Sequence, residues 1–139
     1  MGAAHELYRL TGDDRFLNDA IQAAHFAISD PGMIDTAWGI LRDEGGGDGG
    51  LFKGIFVRYF TILLGEKDLP IEVKSTFEDF LLHNAIIHWT QGVDKDDMLI
   101  GTSWHKPARQ RTELTTQTSG ATLLEAVAAY TREGSRGSN

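Results

Sequence analysis

The most informative stretch of this sequence reads Gly47-Asp48-Gly49-Gly50-Leu51-Phe52-Lys53-Gly54-Ile55-Phe56-Val57-Arg58-Tyr59. Apolar residues follow the glycines at steps of three and four, which predicts an amphipathic helix over residues 51–64. Its predicted inner face consists of Phe52, Ile55, Phe56, Tyr59, Phe60 and Leu63, with Lys53 and Arg58 off that face. Gly54 stands inside the helix at a cost of about 1 kcal/mol relative to alanine, so we expect another helix or a ligand to approach closely there.

Four other segments have helical periodicity. They cover residues 3–10, 14–29, 70–91 and 117–131. The first two are joined by Thr11-Gly12-Asp13, in which glycine suits the left-handed conformation beyond a helix end and Thr11 or Asp13 can cap the next helix. The chain is therefore predicted to be all-α, with about five helices arranged as helical hairpins.

Two long connections, residues 31–50 and 92–116, interrupt this pattern, and residues 36–41 are predicted to form a short extended piece. Because short turns alternate with long loops, we expect the long loops to meet at one end of the hairpins, where a functional site belongs. The chemistry-bearing residues of these loops are Trp38, Asp43, Asp48, Asp94, Asp96, Asp97, Trp104, His105 and Arg109. Tryptophans with carboxylates are typical of a sugar site, since an aromatic face stacks on the apolar side of a pyranose and carboxylates accept hydrogen bonds from hydroxyls.

The composition excludes several classes of function. The 139 residues carry 13 Lys and Arg against 20 Asp and Glu, and the resulting formal charge of −7 disfavours binding to nucleic acid or to anionic membranes. The chain has no cysteine, and its five histidines are scattered, so we expect no disulfide, no metal site and no cofactor. No apolar run reaches the roughly 20 residues that span a bilayer, and we expect no signal peptide in residues 1–6.

The glycine run between Gly45 and Gly50 does not match the known glycine-rich ligand loops. A P-loop needs Gly-Lys-Ser/Thr after its glycines, whereas Lys53 precedes its glycine. The run is not flanked by the strand and helix of a dinucleotide-binding unit. Acidic residues near the run also lack the alternating spacing of a helix–loop–helix calcium site.

The stretch 47–59 resembles the Phe-Lys-Gly-Ile-Phe-x-Arg segment of glycoside hydrolase family 76, which contains the bacterial endo-α-1,6-mannanases and related fungal cell-wall proteins. Three further stretches are similar to this family in the same order. They are Leu7-Tyr8-Arg9-Leu10-Thr11-Gly12-Asp13, Gly101-Thr102-Ser103-Trp104-His105-Lys106-Pro107 and Gln117-Thr118-Ser119-Gly120-Ala121. The resemblance therefore spans nearly the whole chain.

The resemblance implies that the chain is part of a larger fold. Family 76 enzymes fold as an (α/α)6 toroid of six helical hairpins, more than twice the length of this chain. Residues 1–139 are then expected to be a single helical domain that forms the C-terminal portion of such a toroid. The family's catalytic pair is two adjacent aspartates that follow Tyr or Phe in the N-terminal half. That context has no match in this sequence, so we expect no catalytic residue in the chain.

Two adjacent acidic pairs do not fit the catalytic role. Asp13-Asp14 lies in a tight turn between helices, where capping accounts for both carboxylates. Asp96-Asp97 lies in a loop beside Lys95, without the burial that raises the pKa of a catalytic acid.

Three residues are predicted to bind substrate in the parent enzyme, namely Asp48, Lys53 and Trp104. Lys53 could reach a sugar hydroxyl or hold a carboxylate in place, and its alternative is a solvated lysine. Trp104 comes from the long-loop end and could stack on a sugar, with a packing anchor as its alternative.

Two functions are compatible with the sequence. By resemblance, the chain is the C-terminal segment of a glycoside hydrolase acting on α-1,6-mannan or a related polysaccharide, and it supplies barrel wall and cleft residues. The localisation is not specified by the sequence, although such a substrate is compatible with a secreted or cell-surface parent enzyme. Alternatively, the chain is a non-catalytic helical interaction module or a truncated product without activity.

Self-association is expected because an incomplete toroid exposes apolar side chains. The surfaces expected to be covered are those on the side of Phe16 and Phe26 and on the terminal helix. Residues 133–139 are small and polar, and we predict that they form a flexible tail.

Overall fold

The structure, a computed structural model, describes residues 1–108 and 110–136. Its five helices are α1 (Gly2–Thr11), α2 (Asp14–Ser29), α3 (Gly49–Leu64), α4 (Ile71–Ile87) and α5 (Leu114–Arg136). A π-helical turn, His88–Gly92, continues α4, and two short strands, β1 (Ile34–Asp35) and β2 (Ile40–Leu41), precede α3. The predicted all-α class with about five helices is confirmed. Arg109 lies outside the described residues. So do residues 137–139, which belong to the predicted tail.

The turn between α1 and α2 is built as predicted. Gly12 adopts the left-handed conformation with φ of 69°, and its N–H donates to Tyr8 O at 2.7 Å. Asp13 caps α2, because its Oδ1 accepts a hydrogen bond from Arg15 N at 3.0 Å. Capping therefore accounts for the acidic residue at this helix start.

The extended piece predicted over residues 36–41 is only partly correct. β1 pairs antiparallel with β2, with Ile34 opposite Leu41, and residues 36–39 form the turn between the strands. Asn84 fastens this hairpin to α4, because its Oδ1 accepts from Leu41 N and its Nδ2 donates to Phe80 O, both at 2.9 Å. The Asn84 side chain therefore forms hydrogen bonds with the backbone of a strand and of a helix.

The helices share one hydrophobic core, to which α2, β2, α3 and α4 contribute most residues. Its fully buried members include Ala20, Ala24, Ile40, Val57, Phe60, Leu63, Leu64, Phe77, Leu81, Trp104 and Leu123. Helix α5 begins three residues earlier than predicted and continues five residues beyond Thr131 to Arg136.

Helices α3 and α5 form the most extensive helix–helix contact. An added Cβ on Gly54 would lie only 2.9 Å from Ser119 Cα, and Gly54 N donates to Ser119 Oγ at 2.6 Å. The close approach expected at Gly54 is therefore that of another helix. Any larger side chain would push α5 away from α3.

The predicted inner face of α3 is wrong in part. Phe60 and Leu63 are fully buried and Phe56 is half-buried, but the other three residues of that face are exposed. Lys53, predicted off the face, is only 6% exposed. The exposed side of α3 carries Phe52, Ile55, Tyr59 and Ile62, which we call the α3 outer stripe. Helix α3 is thus apolar on two sides, and the described chain covers one of them.

Candidate functional site

The two long loops meet at the N-terminal ends of α3 and α5 and border an open cleft of about 500 Å³. The walls come from the glycine-rich loop before α3, from the loop that follows the π-helical turn, and from the start of α5. The lining side chains that can form hydrogen bonds are Asp43, Thr102, Ser103, Lys106, Arg111, Thr112, Glu113 and Thr116. The expected meeting of the long loops is therefore found, and a polar cleft lies at that place.

Asp43 joins the two loops at the wall of this cleft. Its Oδ1 accepts from Gly45 N at 2.8 Å, and its Oδ2 accepts from Thr102 Oγ1 at 2.8 Å. The carboxylate therefore fixes the glycine-rich loop against the second loop, although 59 residues separate Asp43 from Thr102 in the sequence.

Lys53 lies beneath the same wall, in the first part of α3. Its Nζ donates to the carbonyl of Thr102 and lies 4.6 Å from the centroid of the Trp104 ring. Burial lowers the pKa of Lys53 to about 8, an effect that the nearby carboxylates of Asp43 and Glu44 oppose. The structure excludes the alternative of a solvated lysine and places the ammonium group where it holds the second loop on α3.

Trp104 is only 1% exposed. Its ring packs against His88, with the ring centroids 5.4 Å apart, and Lys53 lies over it. This geometry favours the packing-anchor alternative, because the indole offers a sugar no open face in this chain. The other loop tryptophan, Trp38, is half-buried and stacks on His105 at a centroid distance of 4.7 Å.

Asp48, the third predicted substrate residue, is exposed at the start of α3. Its side chain makes no capping hydrogen bond, and Asp48 is not among the residues that line the cleft. The structure thus brings Lys53 and Trp104 together under the cleft and leaves Asp48 outside the residues that line it.

Glu113 is a cleft residue that the sequence reasoning missed. Its Oε2 accepts a hydrogen bond from Gly47 N, 66 residues away in the sequence. Lys106 and Arg111 were also missed as site residues, and neither forms an ion pair within the described part of the chain. The only local signal was the density of charged and hydroxyl side chains in the second loop.

His88 is a second residue that the sequence did not single out. It is fully buried at the start of the π-helical turn, and neither ring nitrogen has a hydrogen-bond partner among the described residues. Burial lowers the pKa of His88 to about 4, and the charges of Lys53 and Lys95 act in the same direction. The backbone of Trp104 and Gly120 opposes the shift without completing a hydrogen bond of good geometry. At neutral pH the imidazole is therefore uncharged.

The second pair of adjacent acidic residues is not among the side chains that line the cleft. Asp96 and Asp97 are exposed in the turn that follows Val93 and precedes Ile100. In residues 1–108 and 110–136, no three His, Cys, Asp or Glu side chains are grouped so that they could hold a metal ion. Within those same ranges, no helix combines the length and apolar character required to cross a bilayer.

Comparison of the sequence and fold with known proteins identifies the family of this chain. The family model described as glycosyl hydrolase family 76 matches residues 1–139. A search of curated proteins gave no match. The chain is 41% identical to the solved GH76A α-1,6-mannanase from Salegentibacter sp. HEL1_6, with a TM-score of 0.87 over 92% of this chain and 37% of that enzyme. An inactive variant of that enzyme, with two adjacent aspartates replaced, has been solved in complex with α-1,6-mannotriose.

A second solved structure gives the same result. The Lin0763 protein from Listeria innocua is 32% identical, with a TM-score of 0.80 over 94% of this chain and 35% of that protein. The chain therefore spans little more than a third of the length of these relatives. Their architecture confirms that its five helices correspond to part of an (α/α)6 toroid. Because the family model matches it from end to end, the chain belongs to glycosyl hydrolase family 76.

Proposed function

We propose that this chain supplies cleft-lining residues to a family 76 glycoside hydrolase that acts on α-1,6-mannan or a related α-mannan. The observation that carries the proposal is the polar cleft, in which Lys106 and Arg111 are unpaired among the described residues. Ammonium and guanidinium groups donate hydrogen bonds to sugar hydroxyls. The complex of a 41% identical mannanase with α-1,6-mannotriose supports this substrate class.

The hydrolytic carboxylates are proposed to lie outside this chain. Asp13 is engaged as a helix cap, and Asp96 and Asp97 are solvated. In the mannanase, replacement of two adjacent aspartates gives an inactive variant, which supports a catalytic pair of adjacent aspartates. We propose that Asp13, Asp96 and Asp97 of this chain do not form such a pair. The chain by itself is therefore proposed to bind mannan fragments without cleaving them.

Calorimetric titration with α-1,6-mannotriose tests this function. We expect weak binding by the chain and about tenfold weaker binding by Arg111→Ala, since a hydrogen bond from a charged donor contributes roughly 1.5–3 kcal/mol. The matched control is Arg9→Ala, because Arg9 is also exposed but lies in α1 and pairs with Glu6. Equal affinities for the two variants would contradict a sugar site in the cleft. Release of new reducing ends from α-1,6-mannan by the chain alone would contradict the proposed position of the catalytic pair.

A second function, a helical interaction module, is favoured by the α3 outer stripe. Its four side chains are 41–57% exposed and follow each other at helical spacing on one face. We propose that a second copy of the chain covers this face, since two such stripes are complementary in their apolar character. Of the surfaces predicted from the sequence, Phe26 is 60% exposed, whereas Phe16 is half-buried.

Light scattering as a function of concentration tests self-association. We expect the average mass to rise with concentration, and the double variant Ile55→Glu/Ile62→Glu to remain monomeric while its helical content is unchanged. The control is Leu10→Glu, because Leu10 is 81% exposed on α1 and lies outside the stripe. A wild-type chain that stays monomeric at millimolar concentration would exclude this function.

A further inference from the structure

The side chain of Glu113, the residue before α5, lies against the glycine-rich loop that precedes α3. Gly47 N donates to Glu113 Oε2, and an added Cβ on Gly46 would lie 2.9 Å from that oxygen and 3.1 Å from Oε1. The absence of a side chain at Gly46 therefore leaves the space that the carboxylate occupies. This contact gives a reason for the glycine at position 46, within a run that no known ligand loop explains.

The backbone of Glu113 is fixed by a hydrogen bond to the first turn of α5. It immediately precedes α5, and its carbonyl accepts from Gln117 N at 2.9 Å in the first turn of that helix. Its carboxylate meets the loop just before α3 begins at Gly49. A negative charge is favourable there, because the first turn of a helix presents unpaired N–H groups and a partial positive charge.

The same loop carries the residue that forms the cleft wall. Asp43 bonds Gly45 N within the loop and Thr102 Oγ1 across the cleft edge. The loop is therefore tied to the second loop through Asp43 and to α5 through Glu113. Without the hydrogen bond between Gly47 N and Glu113, the segment between Gly46 and the start of α3 is no longer held against the start of α5.

We propose that Glu113 is a positioning residue. Its hydrogen bond with Gly47 N, which we call the clasp, holds the glycine-rich loop in place and thereby sets the shape of the cleft. The consequence for sugar binding rests on the proposed function, whereas the clasp itself does not. Glu113 acts through Gly47 and the cleft wall and takes no part in bond cleavage.

Three substitutions test the clasp by hydrogen exchange at the Gly47 amide. Glu113→Leu removes the acceptor, and we expect exchange to accelerate about tenfold or more, as loss of a hydrogen bond to a charged group implies. Glu113→Gln keeps an oxygen that accepts from Gly47 N and should restore most of the protection. Gly46→Ala introduces a Cβ into the carboxylate's space and should accelerate exchange as Glu113→Leu does.

Two controls separate the clasp from general effects. Glu125→Gln neutralises an exposed carboxylate on α5, the helix that follows Glu113, and we expect exchange at Gly47 to stay at its wild-type rate. Gly45→Ala strains a position with φ of 75° but places its Cβ in open space, so a different effect from that of Gly46→Ala shows that contact with Glu113 matters. Unchanged exchange at Gly47 in Glu113→Leu would overturn the clasp.

Titration with α-1,6-mannotriose completes the test. At a temperature well below the melting temperatures of both proteins, we expect Glu113→Leu to weaken binding several-fold and Glu113→Gln to restore it, a pattern that loss of fold stability would not produce. Wild-type affinity in Glu113→Leu, despite faster exchange, would overturn the role in shaping the cleft. A wild-type chain that binds no mannotriose would refute the proposed function, while the exchange rates would still decide the clasp.

Discussion

Replacing Trp104 with alanine is expected to lower the free energy of unfolding by about 3–5 kcal/mol, the usual cost of removing a buried aromatic side chain. The indole belongs to the second loop, is 1% exposed and packs against His88. Since domains of this kind are stable by only about 5–15 kcal/mol, the variant should unfold at a much lower urea concentration. Urea titration followed by circular dichroism measures the shift.

Trp89→Ala is the matched control for this substitution. Trp89 is 46% exposed, and its main side-chain partner is Lys95, whose Nζ lies 3.1 Å from the ring centroid. We expect a loss of about 1 kcal/mol or less, as for an exposed cation–π pair. If Trp104→Ala were as stable as Trp89→Ala but failed to bind mannotriose, Trp104 would be a sugar contact and its packing role would be wrong.

Acid is expected to destabilise the chain through His88. The pKa of His88 is about 4 in the folded chain because of burial, against an ordinary value of 6.5, so the unfolded chain binds more protons between these two pH values. Stability from this residue is complete above about pH 6.5 and is lost as the pH falls toward 4. At about 1.4 kcal/mol per pKa unit, the loss amounts to about 3 kcal/mol.

Urea unfolding at pH 7, 5 and 4 measures this dependence. His88→Asn cannot titrate, so its stability should fall about 3 kcal/mol less over this range than that of the wild-type chain. His25→Asn is the control for loss of an imidazole, because the His25 ring packs on Phe77 away from the π-helical turn. Glu66, whose pKa is lowered by its hydrogen bond to His5, adds a separate loss at lower pH that both variants share. An unchanged slope in His88→Asn would contradict the assignment.

The helices were predictable where the signals were local. The turn at Gly12 and Asp13 depends on neighbours in the sequence, and the structure builds it as predicted. The orientation of α3 was not predictable, because a helix with apolar residues on two sides has no single periodic face. Lys53 was therefore assigned to the wrong side, although its position beside the loop end was correct.

The site was predictable in its location but not in its contacts. The lengths of the two loops were enough to place a cleft at their common end. Glu113 and His88 escaped detection because their roles depend on partners from other elements. Glu113 meets Gly47 across 66 residues, and His88 is distinctive only because the fold buries it without a hydrogen-bond partner. Trp104 was found by its loop, yet its burial depends on packing that no spacing reveals.

The contact between Gly54 and Ser119 also has a consequence for biosynthesis. Helix α3 ends at Leu64, and α5 begins at Leu114, roughly 50 residues later. At about 5–20 residues per second, a ribosome needs several seconds to supply the helix that covers Gly54. During that interval the side of α3 around Gly54 stays uncovered on the nascent chain, so the contact between α3 and α5 is expected to be among the last to form.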